Sequence, residues 1–272
     1  MGRSRIGLRF IRKRRAFATL GPLVLTLLWL QRPLAAPRVT AVEDSVRGVV
    51  TYAYDGDTIK LRLESGEEKR VRLIGVNSPE YNAPRLDERL LAFLAKRFTH
   101  SELVGKPVRL TFDREREDVY GRLLAYVWKD EATLFNETLV RSGFARAFLK
   151  YRFSPAIQRR LKAAEADARR ERLGLWRKEP YPISGPAEAS SLAGHVAAVR
   201  FLCVRSYDRS HFRVLAPAET VFEVVMQEAT VAVVRRAGDF IGRTLVVTGL
   251  VETYRGRPQI MVGLSCQIQV IQ

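Results

Sequence analysis

The hydrophobic period changes several times along the chain, and each change marks an element. From residue 46 a short-strand pattern begins. Within it, 57–63 alternates strictly, with Ile59, Leu61 and Leu63 on one face and Lys60 and Arg62 on the other. A period of two is what a half-buried strand requires. Ser65-Gly66 supplies a turn, and 69–74 returns as the partner strand. Residues 86–99 place Leu86, Leu90, Phe93, Leu94 and Phe98 at helical spacing. Two more strands are predicted over 108–112 and 122–128, the second entered through Tyr120-Gly121. A helix over 133–142 stops at Gly143. Another opens at Ser154-Pro155, with Ser as N-cap and Pro in the first helical position, and ends at Gly174.

The segment 179–191 is rich in Pro, Ser, Gly and Ala and reads as a linker. Beyond it the chain is almost all strand, over 195–204, 212–215, 221–226, 245–254 and 259–270, with a helical stretch over 231–240. Five strands with a helix after the third is the order of a small OB-type barrel. The first part starts the same way. The expected class is therefore mainly β with α (α+β): a five-stranded OB-type barrel with helices over 46–178, then a second small OB-type β-barrel over 192–272.

Composition changes this picture in one respect. The chain has 272 residues, 46 Lys and Arg against 29 Asp and Glu, and a formal charge of +17. Eight of the basic residues, and no acid, lie in residues 1–36, so the remainder keeps a clear basic surplus. Such a surplus attracts polyanions, nucleic acid first and anionic membrane second. Residues 1–36 run from an Arg-rich start through an apolar 16–30 to a Pro-Leu-Ala-Ala segment. That is the order of a secretory signal, or of an uncleaved N-terminal membrane anchor, because Pro37 follows Ala36. Export is therefore expected, to the periplasm or the medium, or to an outward-facing anchored position. An oxidising compartment would permit a disulfide between Cys203 and Cys266, with two thiols as the alternative. His100, His195 and His211 are scattered without ligand spacing.

The chemistry gathers around the first hairpin. Asp57 and Asn77 are equidistant from residue 67, beside the Ser65-Gly66 turn, so antiparallel pairing about that turn is expected to set them opposite each other. Asp55, the Ser78 carbonyl and Glu80 lie near in sequence, completing a set of hard oxygen donors of the kind Ca²⁺ takes. Arg72 lies on the returning strand and Arg122 follows a separate tight turn. Guanidinium forks match phosphate oxygens and counter the charge that develops in phosphoryl transfer.

Three separated segments, Asp55-Gly56-Asp57-Thr58, 71–80 (Val-Arg-Leu-Ile-Gly-Val-Asn-Ser-Pro-Glu) and Asp118-Val119-Tyr120-Gly121-Arg122, resemble the signature of the staphylococcal nuclease (thermonuclease) family. The likeness continues through 139–143 and Leu173-Gly174-Leu175-Trp176, and covers roughly 46–177. It implies a calcium-dependent endonuclease acting on DNA, RNA or both, with single strands preferred. By that resemblance Asp57, Asn77 and the Ser78 carbonyl hold Ca²⁺, and Asn77 stands where the best-studied member has Asp. Glu80 serves the attacking water, Arg72 and Arg122 bind the scissile phosphate, and Tyr120 and Tyr151 line the nucleotide pocket. Val119 and Leu149 replace a lysine and a tyrosine of the family.

The second barrel carries no second copy of this set. Tyr207 and Phe212, and above all Tyr254, Arg255 and Arg257, are its candidate nucleic-acid contacts, because exposed rings beside arginines stack bases. Two other classes stay open on the residues: a catalytically weak or inactive nucleic-acid-binding protein of the same fold, and a membrane-anchored interaction protein. Membrane contact is expected only through residues 1–36, and no feature speaks to oligomeric state.

Overall fold

The computed structural model describes residues 45–227, 230–231 and 240–271. The leader read over 1–36 lies outside them, as does all but the ends of the helical stretch read over 231–240.

The first part is built on β1 (Ser45–Ala53), β2 (Thr58–Leu63), β3 (Glu68–Leu73), β4 (Val76–Asn77), α1 (Leu86–Leu103), β5 (Pro107–Thr111), β6 (Leu123–Trp128), α2 (Phe135–Arg141), β7 (Arg146–Ala147) and α3 (Pro155–Arg170). The alternating residues do what their period requires, since Ile59 and Leu61 are fully buried while Arg62 faces water. β1, β2, β3, β6 and β5 close into a five-stranded barrel, all pairs antiparallel except β3 with β6. β1 serves two neighbours, β5 along its first half and β2 along its second, and this closes the ring. The barrel core joins Ile59, Leu61, Leu73 and Leu110 to Leu94 and Phe98 of α1 and Phe135 and Leu139 of α2. Each such side chain removed from water contributes about 1.5–3 kcal/mol.

The second part contains β8 (Ile183–Ser184), β9 (Val196–Leu202), β10 (Arg205–Arg209), β11 (Phe212–Ala216), β12 (Glu223–Gln227), β13 (Thr244–Tyr254), β14 (Arg257–Val262) and β15 (Ile268–Ile271). Its pairings run β10-β11-β12-β14-β13-β9, antiparallel except β12 with β14. That is the strand order and orientation of the first barrel, with β9 and β10 together in the place of β1. The chain changes neighbours between them: the Cys203 amide donates to the Arg243 carbonyl, and the Val204 amide to the Ala216 carbonyl.

Several expectations are corrected. The strand read over 259–270 is two strands, β14 and β15, separated by a 3-10 turn at Ser265–Gln267. Tyr207 lies within β10, and the reversal that follows falls at Ser210-His211. The segment read as a linker is ordered, with β8 parallel to β9, a 3-10 helix at Pro186–Leu192 and Ala189 buried in the second core. Leu250 of the second part is buried in the first core, so the two parts pack directly. Cys203 is buried, Cys266 is half-buried, and no disulfide joins them.

Candidate active site

The site forms where the β2–β3 hairpin opens. The hairpin register sets Thr58 opposite Arg72 and Lys60 opposite Arg70, and the Leu73 amide donates to the Asp57 carbonyl at 2.9 Å. Asp57 therefore faces Leu73, and the expected Asp57–Asn77 pairing does not occur. The reason is the register, which centres on Ser65 rather than on residue 67; past Leu73, Gly75 with its φ of +76° then turns the chain out of the ladder. A Cβ there would also lie 2.7 Å from Leu161 and Phe153. After this turn Val76 and Asn77 pair with Ala147 and Arg146, and Ser78 is carried back over Asp57. Its amide donates to Asp57 Oδ2 at 2.6 Å. The sequence neighbours thus meet at the site by a different route from the one their spacing implies.

Asp57 is 4% exposed. Its amide is held by Asp55 Oδ1 at 2.8 Å, and its Oδ1 accepts the Thr58 hydroxyl at 3.2 Å. Arg72 Nε approaches the same Oδ1 at 3.2 Å, while Arg72 Nη1 donates to the Leu73 carbonyl and Nη2 lies 3.5 Å from Asn77 Oδ1. Burial pushes the Asp57 carboxyl up to about 6; Arg72 opposes the shift and Asp55 adds to it. Among the described residues no three His, Cys, Asp or Glu side chains form a metal cluster. The donors present at this point are all hard oxygens, from the carboxylate of Asp57, the amide of Asn77 and the main chain beside Ser78. A buried carboxylate with a raised pKa beside a second acid favours a neighbouring cation, so the set fits Ca²⁺ or a similar hard ion.

Arg122 reaches the site from another turn. Asp118 Oδ1 accepts the amides of Tyr120 and Arg122, and its Oδ2 accepts Arg122 Nε at 2.7 Å, with Nη2 also at 2.7 Å. The two-nitrogen fork fixes the guanidinium plane. Asp118 is a positioning residue whose role was not read from the sequence, although its spacing of four from Arg122 across a Gly-containing turn is the signal that carries it. The Arg122 guanidinium also lies 5.4 Å from the Tyr120 ring centroid.

Arg72, Arg122, Tyr120 and Tyr151 line a cleft of about 460 Å³, whose lining does not include Asp57, Asn77 or Ser78. Tyr120 and Tyr151 are 79% and 63% exposed, so each ring offers a face. Phe148 packs edge-on to Tyr151 at 5.7 Å. Acids line the cleft as well: Asp113 is engaged by the Tyr126 hydroxyl and the Ser154 amide, Asp118 by Arg122, and Glu115 and Glu117 are exposed. Glu80 is exposed two residues beyond Ser78, and its carboxylate makes no hydrogen bond or ion pair among the described residues. It does not line the cleft. A separate concavity of about 280 Å³ by Arg47, Arg109 and Trp128 shares none of these residues. The second-barrel candidates Tyr254, Arg255 and Arg257 lie at the β13–β14 reversal, away from this cleft.

Residues 70–178 match the family model described as staphylococcal nuclease homologue. The chain is 38% identical over 141 residues to a thermonuclease of Staphylococcus intermedius, covering 49% of this chain and 79% of the relative. It is 37% identical over 127 residues to a thermonuclease of Staphylococcus hyicus, covering 47% and 73%. It is also 34% identical over 131 residues to the endonuclease YncB of Bacillus subtilis, covering 47% and 61%.

Proposed function

The chain belongs to the staphylococcal nuclease family, and on that premise we propose that it is a calcium-dependent endonuclease hydrolysing phosphodiester bonds of DNA, RNA or both. The observation that carries this reading is the Arg72 guanidinium. It bridges the buried Asp57 and Asn77 at the edge of a cleft that Arg122 and two exposed tyrosines also line.

Asp57, the Asn77 amide and the Ser78 carbonyl would hold Ca²⁺, which when bound supplies Lewis-acid polarisation of the phosphate. The chain's own groups do the rest. Arg72 and Arg122 bind the non-bridging oxygens and neutralise charge as the phosphorus becomes five-coordinate. Both are held by a carboxylate on one side, so their planes are set before substrate arrives. Tyr120 and Tyr151 take bases on their exposed faces, which favours single strands. Glu80 orients the attacking water, whose oxygen bonds to phosphorus while the bond to the leaving sugar oxygen breaks, and the proton the water gives up passes through Glu80 or solvent to that leaving oxygen. Export belongs to the same proposal and rests on the order of basic, apolar and small residues in 1–36.

The test is cleavage of end-labelled single-stranded DNA with calcium and with a chelator. Arg72→Ala, Arg122→Ala and Glu80→Ala are each expected to lower kcat by roughly 10²–10³-fold. Salt-sensitive binding without cleavage by the unaltered protein at millimolar calcium would assign the chain to the binding-only class, with Asn77 as the cause.

A further inference from the structure

Two neighbouring cations of α1 are put to different uses. Arg97 makes a two-pronged pair with Glu252 of β13, at 3.0 and 2.6 Å. One turn back, Phe93 lies so close to Gly263 that any Cβ there would run into its ring. The second barrel is thus clamped to the helix that also backs the Asp55–Asp57 loop, where the Thr99 hydroxyl donates to the Gly56 carbonyl at 2.6 Å. Lys96 addresses two exposed rings instead. Its Nζ donates to the Tyr52 hydroxyl at 3.2 Å and lies 5.8 Å from the Tyr81 ring centroid. Tyr81 directly follows Glu80. An aromatic and cationic patch therefore starts beside the proposed water site and runs along α1 to the clamp.

A second patch starts on the far side of the clamp. Glu252 pairs with Gln259 across the β13–β14 ladder, and Arg209 Nη2 lies 3.4 Å from Gln259 Oε1. Arg209 shares the buried Glu223 with the Tyr207 hydroxyl, at 2.7 and 2.6 Å. Its guanidinium and that of Arg255 each lie 5.3 Å from the centroid of the exposed Tyr254 ring. Arg257 reaches Glu223 at 3.6 Å with its own side chain mostly in water. Two guanidiniums, of Arg209 and Arg257, share one carboxylate that also accepts the Tyr207 hydroxyl, and that of Arg255 has Tyr254 as its neighbour. The surface is cationic and offers ring faces, the combination that suits an unpaired polyanion whose bases are free to stack.

We propose that the two patches form one track for a single strand of nucleic acid, which passes from Glu80 over Tyr81 and Tyr52 and across the Arg97–Glu252 clamp to Tyr254. Lys96, Arg255 and Arg257 meet its phosphates. The second barrel is then a holding surface that makes affinity grow with substrate length. A duplex is disfavoured, because its bases have no free faces for the rings. This inference rests on the nuclease reading for its substrate.

The experiment is fluorescence anisotropy of the full-length protein in chelator, with labelled oligothymidylates of about 6 and about 30 nucleotides, bracketing the length one such barrel covers. The longer strand is expected to bind at least about tenfold tighter. Tyr52→Ala/Tyr81→Ala and Tyr254→Ala/Arg255→Ala should each weaken it roughly tenfold, and the second pair should also reduce the salt slope. Arg47→Ala, an exposed arginine outside both patches, controls for loss of charge alone and should leave the affinity near that of the unaltered protein. Equal affinity for both lengths, unchanged affinity in both pairs, or equally tight binding of a 30-base-pair duplex would overturn the track. Length-dependent binding without calcium-dependent cleavage would support the track and reject the nuclease reading. Cleavage without length-dependent binding would reject the track alone.

Discussion

Replacing Arg97 by Met tests whether the barrel and the second sheet are held together by a desolvated ion pair. The side chains of Arg97 and Glu252 are 18% and 6% exposed, and both guanidinium-to-carboxylate bonds have good length. Removing one partner of a buried pair leaves an uncompensated charge and costs about 3–5 kcal/mol. The partial exposure of Arg97 places this case at the lower end, about 3 kcal/mol. Replacing both partners by Met also removes the stranded charge, so the double variant should lie within about 1 kcal/mol of the unaltered protein. The pH dependence carries a sign. Burial raises the Glu252 carboxyl above its ordinary value and Arg97 holds it back, so without Arg97 it rises further. A raised carboxyl binds its proton more tightly in the folded state, so its contribution is fully present below the unfolded value and is lost as pH rises through the folded one. Arg97→Met should therefore be hurt most at pH 7 and recover toward pH 4.5. Urea unfolding followed by circular dichroism measures both effects. A single-variant loss below about 1 kcal/mol at pH 7, or a double variant as unstable as the single, would refute the reasoning.

Three further outcomes follow from the site. Gly75→Ala should destabilise the fold by about 2 kcal/mol or more, seen as a lowered urea midpoint, because it strains a φ of +76° and drives a methyl into Leu161 and Phe153. Asn77→Asp should tighten calcium binding in titration calorimetry by adding a carboxylate beside Asp57. In the unaltered protein the same titration should weaken by about tenfold for each pH unit below about 6, as Asp57 holds its proton against the ion. Asp118→Asn should lower kcat more than it raises KM, because Arg122 keeps its charge but loses the carboxylate fork that fixes its plane.

Much of the first barrel was legible because its determinants are local. The alternation of Ile59, Leu61 and Leu63 and the helical spacing of Leu94 and Phe98 state which faces must leave water, whatever the rest of the chain does. The same holds for the residue types of the site, since Asp57, Arg72, Glu80 and Arg122 are identifiable by motif. Their arrangement was not. Equal spacing about residue 67 placed Asp57 against Asn77, but the strands pair about Ser65, which sets Asp57 opposite Leu73, and Gly75 then ends the ladder. The second part was legible in strand content but not in its pairing, because the change of neighbour at Cys203 and Val204 depends on Arg243 and Ala216, which are distant in sequence.

The sequence by itself determined the strand and helix faces, the basic surplus and the chemical types gathered near Asp57, all properties of short windows or of composition. Tertiary structure alone decided that Asp57 is buried with a raised pKa, that Asp118 sets the plane of Arg122, and that Arg97 clamps one barrel to the other through Glu252. Desolvation and ion pairing depend on which surfaces meet, and residues 97 and 252, distant in sequence, meet only where the second sheet packs against α1.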